Sequence, residues 1–171
     1  KVRKELWLNI INGIDMLSPA AQQLIYDYLN LPFPDVGRVR CPYFNNERKR
    51  QRGQLRVLVG KGLPRDIVEE AKIISIQYHH KIFNQEGHCY LCDHEHNKII
   101  VAKKLRKFLI DNDLGIDCSG FITNILNAHF KETKNINIVR QLPRVYKMSF
   151  ARKLICFFRP VENIGVRAFA S

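Results

Sequence analysis

The hexapeptide Gly115-Ile116-Asp117-Cys118-Ser119-Gly120 opens directly onto the apolar stretch Phe121-Ile122-Thr123-Asn124-Ile125-Leu126. Any fold of this chain must accommodate what that order dictates: a tight turn that delivers one cysteine into the first turn of a helix. Asp117 is of a type that caps helices by accepting from an N–H one turn ahead. Gly115 and Gly120 permit close backbone approach and unusual dihedrals, and Ser119 is small enough to leave a thiol uncovered. Unpaired N–H groups and the helix dipole favour negative charge at such a position. Thiols placed there have pKa values lowered from about 8.5 into the range of roughly 3.5–7.5. The N–H of Cys118 is also available to a developing oxyanion, as acyl transfer requires. The plain alternative is a buried structural cysteine, since free Cys commonly behaves as a small hydrophobe.

The rest of the chain reads as helices separated by strong breaks. Leu6, Ile10 and Ile14 predict an amphipathic helix over residues 4–14. Ser18-Pro19 restarts the chain with an N-cap and a proline in the first helical position. That second helix carries Leu24, Ile25 and Tyr28, and stops before Leu31-Pro32-Phe33-Pro34. A short extended piece is expected around Val39–Phe44, and a strand over Leu55–Val59 closed by Gly60-Lys61-Gly62. Pro64 and Asp66 open a long helix expected to reach about Phe83. A polar loop rich in His and Cys follows, then a helix over Ile99–Ile110, then the Cys118 helix to about Phe130. Asn135–Val139, Leu154–Phe158 and Val166–Phe169 read as strands or short apolar segments.

With 171 residues, the chain has room for one domain with a real core. No run approaches the roughly 18 apolar residues of a membrane span. The net charge is +12, from 28 basic against 16 acidic residues. The cations gather in three clusters: Arg38 to Arg65, Lys98 to Lys107 and Arg140 to Arg159. Such a surface suits a nucleic acid, an acidic membrane face or a polyanionic wall polymer, or is simply well solvated. Five cysteines, Cys41, Cys89, Cys92, Cys118 and Cys156, form no disulfide framework.

Asp117-Cys118-Ser119-Gly120-Phe121, preceded by Gly115 and followed by a helix, resembles the nucleophile motif of NlpC-type cysteine peptidases. The resemblance implies an α+β, papain-like fold, with the nucleophile helix packed on an antiparallel sheet and a His on a following strand as base. It implies Cys118 as nucleophile, supported by Asp117, Ser119 and Gly120, and a peptidoglycan stem peptide or other anionic cell-wall polymer as partner. A location at the cell envelope or outside the cell would follow. Two further echoes are Leu142-Pro143-Arg144 and Pro42-Tyr43, which mark Arg144 and Tyr43 as substrate contacts. On this reading residues 1–36 form an N-terminal helical extension. Residues 37–171 form an incomplete peptidase domain with a helical insertion at about 47–113.

The base is the point of departure. His129, the one histidine after Cys118, lies eleven residues along the same expected helix, a rise of roughly 16 Å. The expectation is therefore a fragment whose base lies beyond Ser171, with His79, His80 or His88 as upstream substitutes. The segment His88-Cys89-Tyr90-Leu91-Cys92-Asp93-His94-Glu95-His96 holds half of a tetrahedral zinc site, with Cys89, Cys92 and His96 as ligands and Cys41 or His88 to complete it. The alternative is a solvated loop with two free thiols. Val59-Gly60-Lys61-Gly62 is no phosphate loop, because that motif needs longer glycine spacing and a Ser or Thr after the Lys. The rival function is a basic, zinc-stabilised nucleic-acid-binding module, held by phosphate contacts and sensitive to salt.

Overall fold

Capping chemistry sets the start of every helix in the computed structural model, which describes residues 16–44, 57 and 59–140. Helix α1 spans Pro19–Leu29 with Pro19 in its first position. Ser18 stands at the N-cap, but its side chain does no capping. Glu132, from another helix, instead accepts the Ala20 N–H at 2.8 Å. Helix α2 spans Pro64–Gln77, and the Asp66 carboxylate reaches back to the Leu63 N–H at 2.9 Å. It ends short of the expected Phe83. The intervening turn bonds to the Ser75 hydroxyl, which accepts from Ile82 and Phe83 N–H.

Helix α3, Tyr90–His94, is one turn lying inside the expected polar loop. Helix α4, Lys98–Asp111, starts where the Asn97 side chain accepts from Ile99 and Ile100 N–H. Helix α5, Cys118–Lys134, runs beyond the expected Phe130. It closes at Asn135 in the left-handed conformation (φ 53°), with Lys131 and Lys134 in the last turn, where cations suit the dipole.

The core follows helical spacing. Ile67, Val68, Ala71 and Ile74 of α2 and Val101, Leu105, Phe108 and Leu109 of α4 share one buried cluster with Tyr28, Leu31, Phe33 and Ile116. The loop after α1 folds back on it, with Leu31 N–H on the Val39 carbonyl and Cys41 N–H on that of Tyr28. Helices α1 and α5 lie antiparallel. Ser18 and Ala20 meet His129 and Glu132 at one end, and Tyr28 meets Phe121 and Asn124 at the other.

The α+β, papain-like architecture is overturned. The described residues are 58% helical and 4% strand, with no sheet. The extended pieces pair only one residue deep, in a parallel bridge between Tyr43 and Ile116 and an antiparallel one between Phe83 and Cys89. At the first, Phe44 N–H donates to Ile116 O and Ile116 N–H to Pro42 O. Asp117 then turns its N–H to Gly60 to begin α5, so the ladder ends there. The face of α5 meant for a sheet packs on α1 instead. The strand expected over 55–59 is absent at its described residues, where Val57 is helical and Val59 lies in a turn. Of the two readings of 135–139, the strand is not found: residues 135–137 are irregular and 138–140 helical. The segments over 4–14, 154–158 and 166–169 lie outside the described residues. No helix among the described residues is long and apolar enough to cross a membrane.

Candidate active site

Asp117 builds the turn that carries Cys118. Its N–H donates to Gly60 O at 2.8 Å, its carboxylate accepts from Gly120 N–H, and its carbonyl accepts from Phe121 N–H at 2.9 Å. The third and fourth N–H groups of α5 are thereby occupied. Those of Cys118 and Ser119 come before any intrahelical acceptor, so they face out of the helix end. The Cys118 thiol is free and exposed. The arrangement therefore presents a sulfur and an N–H of the same residue at the positive end of a 17-residue helix.

The two glycines owe their places to close contact. A Cβ on Gly115 would stand 2.5 Å from the Pro42 carbonyl oxygen, and one on Gly120 would stand 2.5 Å from that of Gly60. The first contact brings Pro42-Tyr43 alongside Gly115-Ile116, which leaves the Tyr43 side chain 70% exposed beside the Cys118 turn. The second contact brings in a residue that sequence reasoning missed. Lys61 is only 6% exposed, and its ammonium donates to the Ser119 hydroxyl and lies 3.6 Å from Asp117 Oδ2. Ser119 in turn donates to the Asp117 carboxylate at 3.0 Å. A lysine between two glycines reads locally as a turn, and no local signal points it at residues so far along the chain.

Three carbonyls in succession hold this loop. Gly60 O takes the Asp117 N–H, Lys61 O takes Asn124 Nδ2 at 3.2 Å, and Gly62 O takes the Tyr28 hydroxyl at 2.8 Å. Asn124 also donates to the Tyr28 oxygen. Burial drives the Tyr28 phenol well above its ordinary range, so it stays a neutral donor. The neighbouring Cys41 thiol is pushed up to about 12, chiefly by burial, and remains a neutral core group.

The histidines lie elsewhere. His129 accepts the Ser18 N–H through Nδ1 at 3.0 Å, which ties α5 to the start of α1. His80 packs edge-on against Phe108, and His94 against Tyr90. Among the described residues, no hydrogen bond joins a histidine to Cys118. Arg144 and Cys156 lie outside the described residues.

The metal half-site takes a different form from the one expected. Cys89 and Cys92 are joined as a disulfide, and His96 is exposed. Oxidised sulfurs are not thiolate ligands, and no group of three or more metal-binding side chains occurs among the described residues. Two cations of the Lys98–Lys107 cluster are already paired: Lys104 lies 3.7 Å from Glu95, and Lys107 lies 2.6 Å from Asp111. No family model, curated protein or solved structure matches this chain.

Proposed function

We propose that the chain is a cysteine-dependent hydrolase of amide bonds, with Cys118 as nucleophile. The observation that carries this reading is the free, exposed thiol at the head of α5, on a turn fixed by the hydrogen bonds of Asp117. The thiolate sulfur attacks the amide carbon to form a C–S bond, and the oxyanion takes the Cys118 N–H. Collapse breaks the C–N bond, the amine leaves with a proton, and water then hydrolyses the thioester to regenerate the thiol. The proton is carried by a base that the described residues do not supply at Cys118. The substrate class suggested by the motif is a peptidoglycan stem peptide, with the exposed Tyr43, bridged to Ile116 two residues before Cys118, as a contact. The proposal rests on the turn and not on a papain-like fold.

Iodoacetamide under non-reducing conditions tests it in the full-length protein. Cys118 should be alkylated far faster than Cys41, and Cys118→Ala should abolish release of peptide from purified peptidoglycan while leaving the melting temperature unchanged. Equal labelling of Cys41 and Cys118, or cleavage that survives Cys118→Ala, would overturn the reading.

A further inference from the structure

A buried ammonium is expensive unless its pairing is good, with an effective penalty of several kcal/mol per ion. At the Cys118 turn Lys61 finds such pairing through Ser119 and Asp117. Its side chain is not what anchors the loop. The three carbonyls of Gly60, Lys61 and Gly62 already bind Asp117, Asn124 and Tyr28, and any residue type supplies those carbonyls. An uncharged side chain of similar volume would fill the same space without the desolvation cost. What the ammonium adds is charge, set against the carboxylate adjacent to the thiol.

That carboxylate creates a conflict. Asp117 is the cap that shapes the turn, yet its negative charge one residue from Cys118 opposes a thiolate. We propose that Lys61 is a positioning residue for Cys118. It holds Asp117 and Ser119 in place and balances the Asp117 charge, so the cap is kept without penalising the ionised sulfur. This rests on the reading of Cys118 as nucleophile. Among the described residues, the nearby titratable groups include Tyr28 from α1, Asp66 at the head of α2, and Tyr43 and Cys41 from the segment before the Ile116 bridge. Tyr28 and Cys41 are held neutral by burial, and the Asp66 carboxylate is bound to the Leu63 N–H.

The test is the pH profile of Cys118 alkylation by iodoacetamide in Lys61→Met, Asp117→Asn and the double variant, with folding followed by circular dichroism. Lys61→Met should slow alkylation at neutral pH by about three- to tenfold and move the profile to higher pH, the size expected of one lost charge partner. Asp117→Asn, which retains a capping side chain, should move the profile to lower pH. The double variant should return to within about twofold of the wild-type rate, since both charges are gone. An unmoved profile in Lys61→Met, or a double variant as slow as Lys61→Met, overturns the proposal. If Lys61→Met fails to fold, Asp117→Asn decides, and an unmoved profile there overturns it equally. A wild-type protein that alkylates rapidly but cleaves no peptide sinks the hydrolase reading and leaves the role of Lys61 standing.

Discussion

Two cysteines stand at helix heads in this protein, and their fates differ because different atoms do the capping. Cys89 is itself the N-cap of α3: its sulfur accepts the Cys92 N–H at 3.3 Å and is bonded to the Cys92 sulfur. It is 3% exposed and belongs to the core cluster. Cys118 sits one position further in, where Asp117 caps α5 and the thiol has no structural duty. A sulfur that caps a helix is committed to structure. One relieved of capping by a carboxylate is left open to chemistry, and Lys61 is on hand to offset the charge that the carboxylate brings.

The sharpest way to break this contrast is to disturb the packing behind each turn. Gly120→Ala puts a methyl 2.5 Å from the Gly60 oxygen and 2.9 Å from Lys61 Cα, both backbone atoms. It should cost about 3 kcal/mol and abolish selective labelling of Cys118. Gly87→Ala, near the other cysteine, meets nothing closer than the flexible end of Lys72 at 3.5 Å. It pays only for its φ of +80°, about 1–2 kcal/mol. Thermal melts of the two variants check the order, and equal losses would show that the Cys118 turn is not tightly built.

Reduction probes the Cys89 side alone. The disulfide closes a loop of sequence separation 3, so in the chain-entropy view its loss costs about 2 kcal/mol. A melt with and without a phosphine reductant should show that drop while the Cys118 alkylation rate stays the same. A Cys118 rate that follows the redox state of Cys89–Cys92 would join the two regions that the comparison separates.

The smallest effect belongs to the far end of α5. The neighbouring Ser18 hydroxyl and the hydrogen bond from the Ala20 N–H hold the Glu132 carboxyl below its ordinary value. A depressed carboxylate pKa contributes stability above the unfolded value of about 4.3 and loses it as pH falls through the folded one. Glu132→Gln should therefore lower the melting temperature slightly at pH 7, and by nothing once the wild-type carboxyl is protonated. A loss of equal size at both pH values would show that charge plays no part in tying α5 to α1.

Much of the helical framework was legible in the sequence because its signals are local. Ser18-Pro19, Pro64 with Asp66, and Asp117 each predict a helix start within one turn of the chain, and each start is observed. The Ile99–Ile110 apolar spacing predicts α4 to within a residue at each end. Where the sequence left two readings open, partnership decides between them. Apolar runs such as Leu55–Val59 and Asn135–Val139 suit a strand or a helical turn equally well, and only a neighbouring strand decides the matter. The spacing of Cys89 and Cys92 is the same for a metal half-site and for a disulfide. The antiparallel sheet was expected from the company the Cys118 motif usually keeps, not from any residue that required it.

The amino-acid sequence by itself determined that a capped turn would place Cys118 at the head of a helix, because Asp117, Gly120 and the apolar run act over a few bonds. It also determined that helices would form at α1, α2 and α4, through Ser18-Pro19, Pro64 with Asp66, and the Ile99–Ile110 run. Only the tertiary structure decided that α5 packs on α1 with no sheet behind it, that Cys89 is paired and Cys118 is not, and that Lys61 is the buried cation beside Asp117. Those outcomes depend on contacts between residues distant in the chain, where burial and charge pairing outweigh any local preference.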